Sequence, residues 1–181
     1  MRQISGQSAF EILKAVEAGA KQYAVPLPRQ QAQGKIWSGV GFRLGDQLLM
    51  APLNEVSEIL YPMPLSRLPG TRNWLKGIAN LRGQLIPVMD LSGFFGGVPV
   101  KDRGGRILVL NYEGGSTGLL VNQVLGLQHF EEKEAIDSLS LKSPALARCI
   151  QGGFERHGQI WPVFSPHALS QHPDFRRVAL G

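Results

Sequence analysis

The residues able to carry out a reaction in this 181-residue chain are few and do not assemble. Glu113-Gly114-Gly115-Ser116-Thr117-Gly118 has the glycine content of a phosphate cradle. It lacks the Gly-Lys-Ser/Thr ending whose amides and ammonium would hold the anion, and it reads instead as a hairpin turn. His129, His157, His167 and His172 do not pair at the helical spacing that brings two imidazoles onto one metal, and a lone Cys149 cannot complete a thiolate site. No Gly-x-Ser-x-Gly elbow offers a nucleophile. No nucleophile, base and orienting group can be put together. The expectation is no catalytic residue, no metal, no cofactor and no enzymatic activity.

Two charged residues suggest recognition instead. Glu58 is flanked by Val56, Ile59 and Leu60, and Arg82 by Leu81 and Leu85. Arg82 lies in the most distinctive stretch of the chain, Lys76-Gly77-Ile78-Ala79-Asn80-Leu81-Arg82-Gly83-Gln84-Leu85-Ile86-Pro87-Val88-Met89-Asp90-Leu91. This stretch reads as a short apolar strand, a polar turn and a second apolar strand closing on an aspartate. Two readings stand side by side. The two charges are unrelated solvated side chains, worth almost nothing to stability; or an arginine at the tip of a tight turn offers its planar fork to a partner's carboxylates or carbonyls.

The elements that must position these residues are mostly strands. The hydrophobic fraction of 43% and charged fraction of 18% are those of a globular protein. Gly at 22 and Pro at 12 fall between short apolar runs, which favours many short strands joined by tight turns. Residues 8–23 read as an amphipathic helix, with Ser8 and Glu11 as a capping box and Phe10, Leu13, Val16, Ala20 and Tyr23 recurring at helical spacing. Residues 26–34 read as a linker. From residue 35 the period changes to two, with Ile36, Ser38, Val40, Phe42 and Leu44 on one strand face. Gly45-Asp46 turns into a second strand at 47–51, and 54–61 is read as a third. A helical turn is expected at 71–76, stopped by Gly77. A loop follows at 93–97, a hairpin at 107–112 and 117–124, a polar surface connection at 131–143, and strands at 147–151 and 159–164. Ser165-Pro166 opens a closing helix. About ten short strands in one domain point to a small all-β architecture of two linked barrels.

Net charge is +5 and the pI about 9.7, so a basic nucleic-acid-binding β-barrel is the rival class. Arg67, Arg72, Lys76, Arg82, Lys101, Arg103 and Arg106 are scattered, however, with no adjacent run. The single cysteine excludes an internal disulfide and suits a reducing compartment. Residues 1–30 show no apolar core with a cleavage site, and no stretch of ~18 apolar residues suggests a membrane span.

Val56-Ser57-Glu58-Ile59, Leu68-Pro69, Lys76-Gly77-Ile78-Ala79-Asn80-Leu81-Arg82-Gly83 and Ile86-Pro87-Val88-Met89-Asp90-Leu91 together resemble the CheW-like domain of bacterial chemotaxis. The likeness continues through Gly118-Leu119-Leu120-Val121-Asn122-Gln123-Val124 and Ile150-Gln151-Gly152-Gly153, and ends near residues 163–169. Trp37-Ser38-Gly39-Val40-Gly41-Phe42 and Trp74-Leu75-Lys76-Gly77 are similar, more narrowly, to CheW-type adaptors of the system controlling type IV pilus twitching motility. The resemblance implies a mainly β fold of two intertwined five-stranded SH3-like barrels, with an N-terminal helix and a short C-terminal helix. It implies a non-enzymatic scaffold that couples a methyl-accepting chemoreceptor to a CheA-type histidine kinase. The kinase would dock on one barrel and the receptor tip would pack in a groove between the two. On the same analogy Glu58, Ile59, Lys76, Asn80, Arg82 and Gly83 lie at or near partner-binding surfaces. No nucleic acid and no small-molecule substrate are implied, and the expected location is cytoplasmic, at receptor arrays on the inner membrane face. Asn122 departs from the family, which often has an acidic residue there. The expected division is 1–34 as extension and linker, 35–172 as the CheW-like domain, and 173–181 as a tail.

Overall fold

The structure is a computed structural model that describes residues 36–101, 104–137, 139, 141 and 143–177. The expected helix at 8–23 and linker at 26–34 lie outside the described residues. The chain opens with β1 (Ile36–Leu44) and β2 (Gln47–Pro52), joined at Gly45-Asp46, then a 3₁₀ turn (Leu53–Glu55) and β3 (Val56–Leu60). Next come β4 (Leu75–Leu81), β5 (Gln84–Asp90), the helical turn α1 (Leu91–Phe94), β6 (Arg106–Tyr112) and β7 (Gly115–Val121). Then follow β8 (Gln123–Glu131), β9 (Ala135–Ile136), α2 (Pro144–Ala147), β10 (Ile150–Arg156), β11 (Gln159–Phe164), α3 (Pro166–Gln171) and α4 (Pro173–Arg176).

The strands form two sheets, ordered β8-β1-β2-β11-β10-β9 and β3-β6-β7-β5-β4. The first sheet is begun by β1 and β2 and completed only after the chain has built the whole of the second, so the two are intertwined. The fold is mainly β, as the sequence suggests. Period-two alternation explains how the core is shared. On β6, Leu108 and Leu110 face the cluster between the sheets with Phe42, Leu49, Met89, Leu119, Phe164 and Leu169. Ile107 and Val109, on the other face, join Ala79, Ile86, Val88, Val100 and Leu120 in the interior of the second sheet. A strand buried on both faces reads as a continuous apolar run, as Ile107-Leu108-Val109-Leu110 does. A third cluster of Met50, Phe130, Phe154 and Val163, flanked by Trp37 and Trp161, fills the first sheet. Each fully buried side chain of this kind stabilises by about 1.5–3 kcal/mol.

Several local expectations are corrected. Residues 71–76 make no helix: β4 starts at Leu75 and runs through Gly77, where the β4–β5 register shifts. Gly77 does not stop a helix. It has φ 144°, and its bare Cα admits Ser66, whose amide donates to the Ile78 carbonyl and whose carbonyl accepts from the Ile78 amide, both at 2.9 Å. The expected loop at 93–97 begins inside α1, because Asp90 caps that turn. Residues 125–130, unassigned from sequence, belong to β8. That strand is half-solvated and bulges beside Gly126 at φ 81°, so it shows little periodicity, and it pairs with a strand far back in the chain. Ala147 lies in α2, capped by Ser143 with Pro144 at its first position, rather than in a strand. The polar connection at 131–143 contains a 3₁₀ turn, Glu132–Glu134, and β9. Ser165 caps α3 as expected, accepting from the Ala168 amide.

The open side of the first sheet is drawn together by Arg156. Its Nε and Nη2 donate to Glu134 at 2.7 and 2.6 Å, Nη2 also donates to the β8 carbonyl of His129, and the guanidinium lies 4.2 Å from the centre of the Phe130 ring. The Arg156 hydrogen bond, followed by that from the Glu131 amide, holds the Glu134 carboxyl down to about 2 from an ordinary 4.5. A depressed carboxyl stabilises the fold fully above its unfolded value, and that contribution is lost as pH falls through the folded value. Urea midpoints of the wild type are therefore expected to converge on those of Glu134→Gln as pH drops from 4.5 towards about 2. A constant gap across that window would show that the pair adds no pH-linked stability.

Candidate partner-docking site

The Asn80–Gly83 turn is fixed by local rules. Leu81 pairs with Gln84 across β4 and β5, which leaves a two-residue connection, Arg82-Gly83. Both residues have positive φ, 51° and 87°, the combination that matches the twist of paired strands. Asn80 Oδ1 accepts the Gly83 amide at 2.9 Å, and Gly83 tolerates its backbone conformation at no steric cost. Asn80 and Gly83 thus shape the turn, and Arg82 is what the turn presents.

Arg82 is 80% exposed, and its Nη2 stands 3.2 Å from Oε1 of Glu58, which is 23% exposed. The two lie at opposite edges of the second sheet, Glu58 on β3 and Arg82 just beyond β4. The sheet curls until its edges face each other, and the ion pair spans the gap above a hollow of about 270 Å³ lined by Ser57, Leu81, Gln84, Ile86 and Val109. The first of the two readings of these charges is overturned: Glu58 and Arg82 are not unrelated but ion-pair partners, and Arg82 stays exposed at the tip of its turn. An ion pair this solvated contributes about 0–1 kcal/mol. Ile59, next to Glu58 on β3, and Leu85, on β5 just after the turn, are both exposed, so apolar surface lies nearby.

Lys76 belongs elsewhere. It sits at the opposite end of β4 with Nζ 3.4 Å from Oδ2 of Asp90, itself only 1% exposed. Asp90 also accepts the Gly93 amide at 3.0 Å, capping α1, and the Val100 amide at 2.9 Å. From sequence Asp90 marks only a strand end, yet its spacing to Gly93 is that of a helix N-cap and was the available signal.

A second surface was not foreseen. A cavity of about 580 Å³ lies between the β1–β2 turn, residues 95–101 and 104–105, and α2, lined among others by Leu44, Phe95, Val98, Pro99, Asn122 and Leu146. Asn122 is already committed there: its Oδ1 accepts the Gly45 amide at 2.7 Å. Segment 95–105 is glycine- and proline-rich with no periodicity, so nothing in the sequence marks it as a wall. Chemistry is sparse throughout. Burial raises the Cys149 thiol to about 11, leaving it protonated and unreactive. Among the described residues no group of three His, Cys, Asp or Glu side chains could hold a metal, and no helix is long and apolar enough to cross a membrane.

Two interlocked β-sheets that present a charged turn and a junction cavity define a docking scaffold. Residues 38–174 match the CheW-like domain family, and the chain belongs to that family of scaffold proteins. It is 41% identical over 176 residues to Protein PilI of Pseudomonas aeruginosa, spanning 96% of this chain and 98% of that one. It is 28% identical over 116 residues to Chemotaxis protein CheW of Helicobacter pylori, covering 64% of this chain and 66% of that one. The fold resembles the crystal structure of scaffolding protein TtCheW from Thermoanaerobacter tengcongensis with a TM-score of 0.67 and 25% identity, over 77% of this chain and 95% of that one. None of these likenesses supports the nucleic-acid rival.

Proposed function

We propose that this chain is a non-enzymatic adaptor that couples a methyl-accepting chemoreceptor to a CheA-type histidine kinase, in the chemotaxis-like pathway that controls type IV pilus twitching motility. The observation that carries the reading is the likeness to PilI along nearly the full length of both chains. The adaptor works in the cytoplasm at receptor arrays. Glu58, Ile59 and Arg82 make partner contacts, while Asn80 and Gly83 hold the turn and Lys76 holds the frame. The receptor tip occupies the junction between the two sheets. A bridge transmits a signal only by binding one state of its partner more tightly than another, which two separate surfaces on one packed core allow. The test is reconstitution of receptor, kinase and adaptor: omitting the adaptor removes receptor control over kinase autophosphorylation. Control that persists without it refutes the proposal.

Arg82→Ala is expected to weaken binding to one partner by about 2 kcal/mol, roughly thirtyfold in Kd. The side chain is exposed, so the thermal midpoint should hold. Calorimetric titrations with the kinase regulatory domain and with a receptor cytoplasmic fragment identify the partner. Unchanged affinity for both removes Arg82 from the contact surface.

A further inference from the structure

Arg82 stands at one end of β4. About 20 Å away along the strand, its other end meets the proline-rich segment 62–73. There Met63 and Leu65, half-buried, border a slot of about 240 Å³ with the buried Val88, Ile107 and Leu120. Arg67 and Lys76 line this slot and also an adjoining hollow of about 370 Å³, to which Arg72, Thr71 and Asn73 contribute. Lys76 is taken by Asp90. Arg67 and Arg72 are exposed, and among the described residues neither forms an ion pair.

We propose that this double hollow docks a linear acidic peptide that carries one aliphatic anchor residue. The anchor enters the apolar slot, and its carboxylate neighbours pair with Arg67 and Arg72. Charge complementarity selects the class, since two arginines that form no ion pair among the described residues suit carboxylates, which their planar forks grip bidentately. Size narrows it: the slot falls below the roughly 300 Å³ at which small-molecule pockets begin, but it accepts a side chain. Among the described residues no aromatic side chain lines either hollow, so these offer no stacking platform for nucleobases. The segment is also held in place beforehand. Ser66 bridges Ile78, the Leu75 amide donates to the Arg72 carbonyl at 2.9 Å, and Thr71 Oγ1 donates to the Leu68 carbonyl at 2.7 Å. A preformed site loses less entropy on binding. The surface is separate from the Glu58–Arg82 turn, so either proposal can fail alone.

The probe is a fluorescein-labelled pentapeptide of one central leucine with two glutamates on each side, titrated into the full chain by anisotropy. Saturable binding is expected that weakens with salt. Replacing the leucine by glycine in the peptide, or making the double variant Arg67→Ala/Arg72→Ala, should each raise Kd at least about tenfold. Methyl resonances of Leu65, Val88 and Leu120 in the wild type should shift on saturation. Thermal melting checks the double variant, and if it is misfolded the wild-type methyl shifts alone decide. Affinity indifferent to the leucine, or methyls that do not move, overturns the proposal. So does tighter binding of an oligothymidylate or of phosphatidylglycerol vesicles through the same two arginines.

Discussion

Asp90→Ala is expected to lower the unfolding free energy by about 3 kcal/mol, measured by urea denaturation. The carboxylate is almost wholly buried and serves three groups at once: the Gly93 amide, the Val100 amide and the Lys76 ammonium. Losing the cap of α1 costs about 1 kcal/mol. Leaving the buried Val100 amide without an acceptor costs about 1–3 kcal/mol more. The ion pair adds less, because Lys76 is 25% exposed and water can take over its hydration. Asp90→Asn keeps one acceptor oxygen and should lose about half as much. A loss below about 1 kcal/mol for the alanine variant would mean that the turn holds without its cap. The consequence reaches the junction cavity, because Phe95, Val98, Pro99 and Val100 line it just beyond the capped turn.

Gly77→Ala is the second large expected effect, again about 3 kcal/mol. An added Cβ would lie 2.5 Å from the Ser66 carbonyl oxygen, with Leu65 Cβ at 3.2 Å, and the backbone is at φ 144°. The obstacle is backbone, so no rotamer change relieves it, and the positive φ adds strain that an L-residue rarely accepts. The Ser66–Ile78 bridge must open, which should speed hydrogen exchange at the Ile78 amide. Gly83→Ala is the control, since at φ 87° nothing lies within 4 Å of its added Cβ and only the conformational cost of about 1 kcal/mol applies. Equal losses at the two positions would remove close packing against Ser66 as the reason for glycine at 77.

Much of the candidate site was legible because its signals are local. Asn80, the Arg82-Gly83 turn and the alternation on either side specify a hairpin within a few residues, and the hairpin presents the arginine. Ser165-Pro166 announced α3 by the same short-range logic. What was misread depends on distant partners. Gly77 looks like a helix stop until Ser66 is placed against it. Residues 125–130 look structureless until β1 offers an edge. Lys76 and Arg82, grouped by their motif, point to opposite ends of one strand and pair with different acids.

By itself the sequence determined that the chain is built mainly of short strands joined by tight turns, since strand period and turn chemistry are properties of neighbouring residues. Only the tertiary structure decided that Glu58 and Arg82 face each other, that Asp90 ties Lys76 to α1, and that the 62–73 segment borders a slot beside two arginines that form no ion pair among the described residues. These juxtapositions arise from sheet curling and from strands paired across long stretches of chain. Their energies depend on burial and distance, neither of which is encoded in the spacing of residues along the chain.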